Sequence, residues 1–195
     1  MDTGLTKRQL RVFRKVLLEG SGILRTKCPT LPIEKIKELL EVSAGGSGYT
    51  LDQLLTDMYQ TMIAESGMGL AANQIGWVMR IFILKNPSII KGYLEYINPE
   101  IVSQEELVTF EGEGCLSIPG VKADTQRYRK LTLTWQDKEG TTHEGVFENM
   151  DAFAVQHEMD HLNGKLYIDQ LGPVKRSMVL KKHKKYVRAV RKADE

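Results

Sequence analysis

Met150 to Gly164 reads MDAFAVQHEMDHLNG. Its apolar residues fall at helical spacing and Gly164 supplies a C-terminal stop, so the stretch is expected to be a helix. On a helix, positions four apart are offset by only about 40°. His157 and His161 therefore present their imidazoles on one face, where two nitrogens can grip one cation. Glu158 points off that face, yet lies close enough to reach a water on such a cation and to take and return a proton. The HExxH spacing is a metallohydrolase signature. As a bare five-residue pattern it also occurs by chance, and two solvated helix histidines are the alternative reading.

A catalytic metal on such a helix needs a third protein ligand and one open position. The longer protease pattern HExxHxxGxxH matches through Gly164, but Tyr167 stands where its third histidine would be. Beyond Gly164 the acids are Asp169, Asp194 and Glu195, and His183 lies in a basic tail. A zinc endopeptidase therefore lacks a good third ligand behind the helix. Upstream, EGEGCLSIPG at 111–120 offers Cys115, although a lone cysteine is more often a small buried apolar residue than a ligand.

Between Gly76 and the HEMDH helix the chain runs in short stretches rich in Ile, Val, Tyr and Thr: VMRIFILKN, YLEYINPEIV, LVTFEG, KLTLTWQD and THEGVFEN. These are expected strands, and KLTLTW followed by QDKEGTT and another strand signals an antiparallel hairpin. Before them, Leu5 to Leu18 reads as a short amphipathic helix and IEKIKELLEV as a second, ending in the flexible SAGGSG. A third helix begins at LDQLLTDMYQ, capped by Thr50. Strands in the middle with helices at both ends imply an α+β fold. We expect antiparallel strands packed around a central metal-binding helix, with N-terminal helices and a basic C-terminal helix at 173–192.

The chain has 195 residues, 42% apolar and 27% charged, and a net charge of +2. These values suit one globular domain and argue against disorder. Lys175 to Lys192 holds nine Lys and Arg residues interrupted by apolar ones. An amphipathic basic helix of this kind suits an anionic surface such as ribosomal RNA, or is simply solvated. No apolar run is long enough for a secretory signal or membrane span. With two cysteines, Cys28 and Cys115, a reducing cytoplasm is the expected location and a disulfide is not expected. The basic segment TKRQLRVFRKVLLEG keeps an organellar transit peptide as an alternative, against which Asp2 and Glu19 count.

A third pattern, GMGLAANQIG at 67–76, changes the weight of the other two. It lacks the lysine of a phosphate loop and the spacing of a dinucleotide fingerprint, so no nucleotide cofactor is expected. GMGLAANQ, EGCLS and QHEMDH, in this order, resemble the three signature motifs of the peptide deformylases, which remove the formyl group from the N-terminal methionine of nascent proteins. The likeness spans about residues 22–170, leaving an N-terminal leader at 1–21. Asn73 departs from the pattern, since proline or threonine is commoner there.

The resemblance implies that Cys115, His157 and His161 bind one divalent metal, with water at the fourth position. Ferrous iron is the native metal it implies, with Zn2+, Ni2+ or Co2+ able to substitute. It also implies that metal-activated water attacks the formyl carbon with Glu158 as general base and then acid, releasing formate. The Gln74 side-chain amide and the Leu116 backbone N–H would steady the oxyanion. Gly69 and Gly114 would approach the substrate backbone closely, and Met68, Phe153 and Ala154 would wall a methionine pocket. The expected partners are N-formylmethionyl nascent peptides and, through the basic tail, the ribosome near its exit tunnel; no membrane partner is expected.

Overall fold

The computed structural model describes residues 14–43, 48–86, 88–90 and 92–193. The stretch quoted first forms α3, Asn149–Leu162. Gly164 ends it at φ 70°, and a Cβ there would stand 2.5 Å from the Arg25 carbonyl oxygen, so the stop also lets the N-terminal part of the chain pass close by.

The strands are β1 (Gly69–Ala71), β2 (Ile81–Lys85), β3 (Tyr93–Glu113), β4 (Ala123–Gln136) and β5 (Thr142–Glu148). They form one sheet in the order β1-β2-β3-β4-β5, every neighbouring pair antiparallel. Period-two alternation distributes β2 between two layers. Phe82 and Leu84 pack with Ala152, Val155, Met159 and Leu162 of α3. Ile81 and Ile83 pack on the other side, with Ile36 and Leu40 of α1 (Ile33–Ser43) and with Leu54, Met58 and Met62 of α2 (Leu51–Ala64). Because both faces of β2 are covered, IFIL is apolar throughout rather than alternating. Thr50 caps α2 as expected: its hydroxyl accepts from Gln53 N–H at 3.2 Å while Gln53 Oε1 accepts from Thr50 N–H at 2.7 Å.

Three expectations are corrected. YLEYINPEIV and LVTFEG are not two strands but one, β3, of 21 residues. The register shifts between Ile97 and Glu100, where Asn98 sits at φ 50° and Pro99 has no N–H to give the ladder. The irregularity absorbs the proline, and the strand continues. β4 likewise begins at Ala123, well before KLTLTW. The leader helix drawn from Leu5 to Leu18 falls largely outside the described residues, and residues 14–18 are not helical. There Val16 is buried, Leu17 N–H donates to the Gln74 carbonyl at 2.7 Å and Glu19 N–H to the Ser117 carbonyl at 2.8 Å. Tertiary pairing overrides a local helical pattern.

The basic tail forms α4, Pro173–Ala193. Val179 and His183 are buried along one side of it. The His183 ring meets the Pro119 carbonyl at 3.1 Å through Nδ1, and Tyr186 covers Gly120. α4 therefore rests on the loop that follows Cys115. No described helix is long and apolar enough to cross a membrane.

Candidate metal centre and active site

β3 ends at Glu113, and two residues later the chain turns Cys115 toward α3. The Cys115 Sγ lies 3.2 Å from His161 Nε2. One ligand atom each from Cys115, His157 and His161 can be chosen so that all three lie within 4.8 Å of one another. Helical spacing presents the two imidazoles, and the strand end delivers the thiol.

Behind the histidines lies a buried polar network. His157 Nδ1 meets Glu113 Oε1 at 2.5 Å. Arg127 on β4 donates to the same carboxylate, Nη2 to Oε1 at 2.6 Å and Nε to Oε2 at 3.0 Å, and its Nη1 donates to Asp160 Oδ2 at 2.7 Å. The Thr125 hydroxyl also donates to Glu113. Burial by itself would raise the Glu113 carboxyl, but hydrogen bonds from His157 and Arg127 hold it down at about 2. An ionised Glu113 keeps the proton of His157 on Nδ1 and leaves Nε2 as the free donor. Burial works against a charge on His157, but its hydrogen bonds and charge interactions with Cys115 and Glu113 raise it well above the usual imidazole range, whereas burial and the neighbouring His157 depress His161 well below that range. One sulfur and two imidazole nitrogens, with His157 giving up its proton when a cation binds, make a donor set that fits zinc, ferrous iron, cobalt or nickel.

Glu158 is 4% exposed, and its Oε2 is buried without a hydrogen-bond partner among the described residues. Desolvation raises its carboxyl to about 7, close to where a group that must both accept and return a proton is most useful. Gly69 makes room for it, because a Cβ on Gly69 would stand 2.5 Å from Glu158 Oε1. Gln74 is oriented by its own backbone. Its Oε1 accepts from Ala71 N–H at 2.9 Å, which turns Nε2 toward Ser117 Oγ at 3.2 Å and Cys115 Sγ at 3.9 Å.

A cavity of about 680 Å³ opens over these groups. Met68, Gly69, Gln74, Gly114, Cys115, Leu116, Phe153, Ala154, His157 and Glu158 all line it, whereas His161 is 1% exposed and is not on the wall. Met68 is 56% exposed and so is not a residue of the core. Phe153 packs at a tilt against Phe110, ring centres 4.7 Å apart.

The residues behind the helix that the protease pattern brought into view lie apart from this cluster. Tyr167 packs beside His157 at 6.5 Å between ring centres, and His183 faces Pro119. Sequence reasoning missed Glu113, Arg127, Ser117, Phe110, Met150, Val121 and Lys122. Glu113 stood in the open, one residue before the glycine of EGCLS. Arg127 could have been found by parity, since Ala123, Thr125, Leu131 and Leu133 are buried on the same odd positions of β4.

An HExxH helix and a cysteine two residues past a strand end, set on an antiparallel sheet, form a centre able to hold a metal, as in the HExxH class of hydrolases. Residues 19–177 match the family model described as polypeptide deformylase. A peptide deformylase of Wolinella succinogenes is 44% identical over 144 residues, covering 71% of this chain and 84% of that protein. One of Pseudothermotoga lettingae is 35% identical over 185 residues, covering 94% and 97%. Among solved structures, a peptide deformylase from Legionella pneumophila superposes with a TM-score of 0.78 at 34% identity, covering 92% of this chain and 97% of that one. One from Synechococcus elongatus, in complex with actinonin, gives 0.71 at 30% identity, covering 86% and 84%. The chain belongs to the polypeptide deformylase family, hydrolases that remove the formyl group from N-terminal methionine.

Proposed function

We propose that the chain hydrolyses the formyl amide of N-formylmethionyl nascent peptides with Cys115, His157 and His161 holding a divalent metal, ferrous iron in the native enzyme. The observation that carries this reading is the close approach of those three donors, within 4.8 Å, beside a buried carboxylate of raised proton affinity. The metal supplies Lewis acidity and an activated water when bound. Glu158 takes the proton that the nucleophile loses and returns it to the departing amine nitrogen. Charge that develops on the formyl oxygen meets the Gln74 Nε2–H and the Leu116 N–H, donors of a kind worth about 3 kcal/mol each. Ala71 N–H fixes the Gln74 amide before the substrate arrives, so little reorganisation remains.

Binding uses the edge of the sheet. β1 pairs only with β2 among the described strands, which leaves its other side for an extended peptide to add as a strand beside Gly69, with Gly114 admitting the backbone across the cavity. The methionine side chain would lie against Met68, Phe153 and Ala154. The nine cations of the tail would bring the enzyme to the ribosomal surface near the exit tunnel. Glu158→Gln tests the assignment of the proton carrier. The variant should bind its metal normally yet release formate at least about a hundredfold more slowly. Retention of near-normal turnover would remove Glu158 from the reaction.

A further inference from the structure

Asn73 is completely buried, and its Nδ2 donates to the backbone carbonyl of His161 at 2.6 Å, across 88 residues of sequence. Among the described residues it is the one hydrogen bond of the Asn73 side chain, whereas the carbonyl end does not depend on it. The His161 carbonyl already accepts from Gly164 N–H at 3.1 Å, where the helix closes. The other end of the amide, Asn73 Oδ1, is buried with no partner among the described residues. A buried amide left half unsatisfied is a poor way to fill a core. What it does supply is a fixed distance between the turn at Ala72–Ile75 and the residue that carries a metal-facing imidazole.

We propose that Asn73 is a positioning residue, tying the Gln74 turn to the end of α3 so that the Gln74 amide and the His161 imidazole keep one spacing. The inference rests on the reading of Gln74 as an oxyanion donor. The rest of the turn is held independently of Asn73: Leu17 N–H reaches the Gln74 carbonyl at 2.7 Å, and Ala71 N–H holds the Gln74 side chain at 2.9 Å. Asn73 adds the link toward the metal ligands. Gln74 sits next to it in sequence, and its Nε2 comes within 3.9 Å of Cys115 Sγ. Releasing the link should let the donor drift relative to the reacting carbonyl without emptying the site. A misplacement of about 1 Å costs on the order of a hundredfold in rate.

The test is a double-mutant cycle on the metal-loaded full chain with a formyl-Met peptide: wild type, Asn73→Ala, Gln74→Ala and the double variant. Asn73→Ala should lower kcat by about tenfold to a hundredfold, with KM and bound metal per chain unchanged. Gln74→Ala should be at least as slow, and the double variant no slower than Gln74→Ala, because Asn73 acts through Gln74. If Asn73→Ala fails to fold, as thermal melting would show, the cycle is run with Asn73→Leu, which fills the site without a donor. Full turnover in Gln74→Ala would defeat the oxyanion reading itself. A slow Gln74→Ala together with a fast Asn73→Ala or Asn73→Leu, losses that multiply in the double variant, or loss of metal from the Asn73 variant would overturn the positioning role alone.

Discussion

Gly69 illustrates how much a missing side chain decides. A Cβ at this position would meet Glu158 Oε1 at 2.5 Å and Leu84 Cδ2 at 2.8 Å, both closer than atoms tolerate. Gly69→Ala should therefore fold, since Leu84 can shift, but push the Glu158 carboxylate off its place. We expect kcat to fall by about a hundredfold, measured as formate release at saturating substrate; unchanged kcat would show that the carboxylate has room to spare. The sequence made Gly69 conspicuous for backbone approach to a substrate, and the structure adds that it makes room for the Glu158 carboxylate. His157, Glu158 and His161 were legible because their spacing is local, whereas Cys115 came in as a ligand only with the likeness to a family. Arg127 was not legible, because a charge inside RYRK reads as solvated until β4 is known to start at Ala123 and to turn its odd positions inward. Its partners Glu113 and Asp160 come from two other elements.

β3, β4 and α3 are joined by that one network, and its pH dependence belongs to all three. The folded Glu113 carboxyl stands at about 2 against an ordinary value of 4.5. Its contribution to stability is complete above about 4.5 and is lost as pH falls through about 2, a change of roughly 3 kcal/mol. Urea unfolding followed from about pH 5 to pH 2 should show this loss, and Glu113→Gln should show a smaller one. An equal loss in both would place the acid sensitivity elsewhere. The elements themselves were largely readable: α2 with its cap, α3 with its glycine stop and the β4–β5 hairpin all rest on periodicity and turn chemistry within a few residues. The leader was not, because its amides bond to Gln74 and Ser117, about sixty and a hundred residues away. The continuity of β3 was hidden by Asn98 and Pro99, which look like a break until a register shift accommodates them.

Over the whole molecule, α4 presents two different sides. Its inner side, Val179, His183 and Tyr186, supports the loop carrying Cys115 and Leu116, while Lys181, Lys184, Lys185 and Arg188 are exposed on the outside. Deleting the helix would therefore confuse the proposed docking with support of the site. Replacing those four cations with glutamate should abolish salt-sensitive co-sedimentation with ribosomes while leaving peptide turnover intact; unchanged co-sedimentation would make the basic face a solvated one. The central claim is that three side chains from a strand end and a helix hold one working metal. The most direct measurement is formate release by chain stripped of metal and then loaded anaerobically with ferrous iron, with Cys115→Ala beside it. The account predicts no release from stripped chain, recovery in proportion to iron up to one ion per chain, and neither tight iron binding nor recovery in Cys115→Ala. Full turnover by stripped chain, or by Cys115→Ala at the wild-type rate, would contradict it.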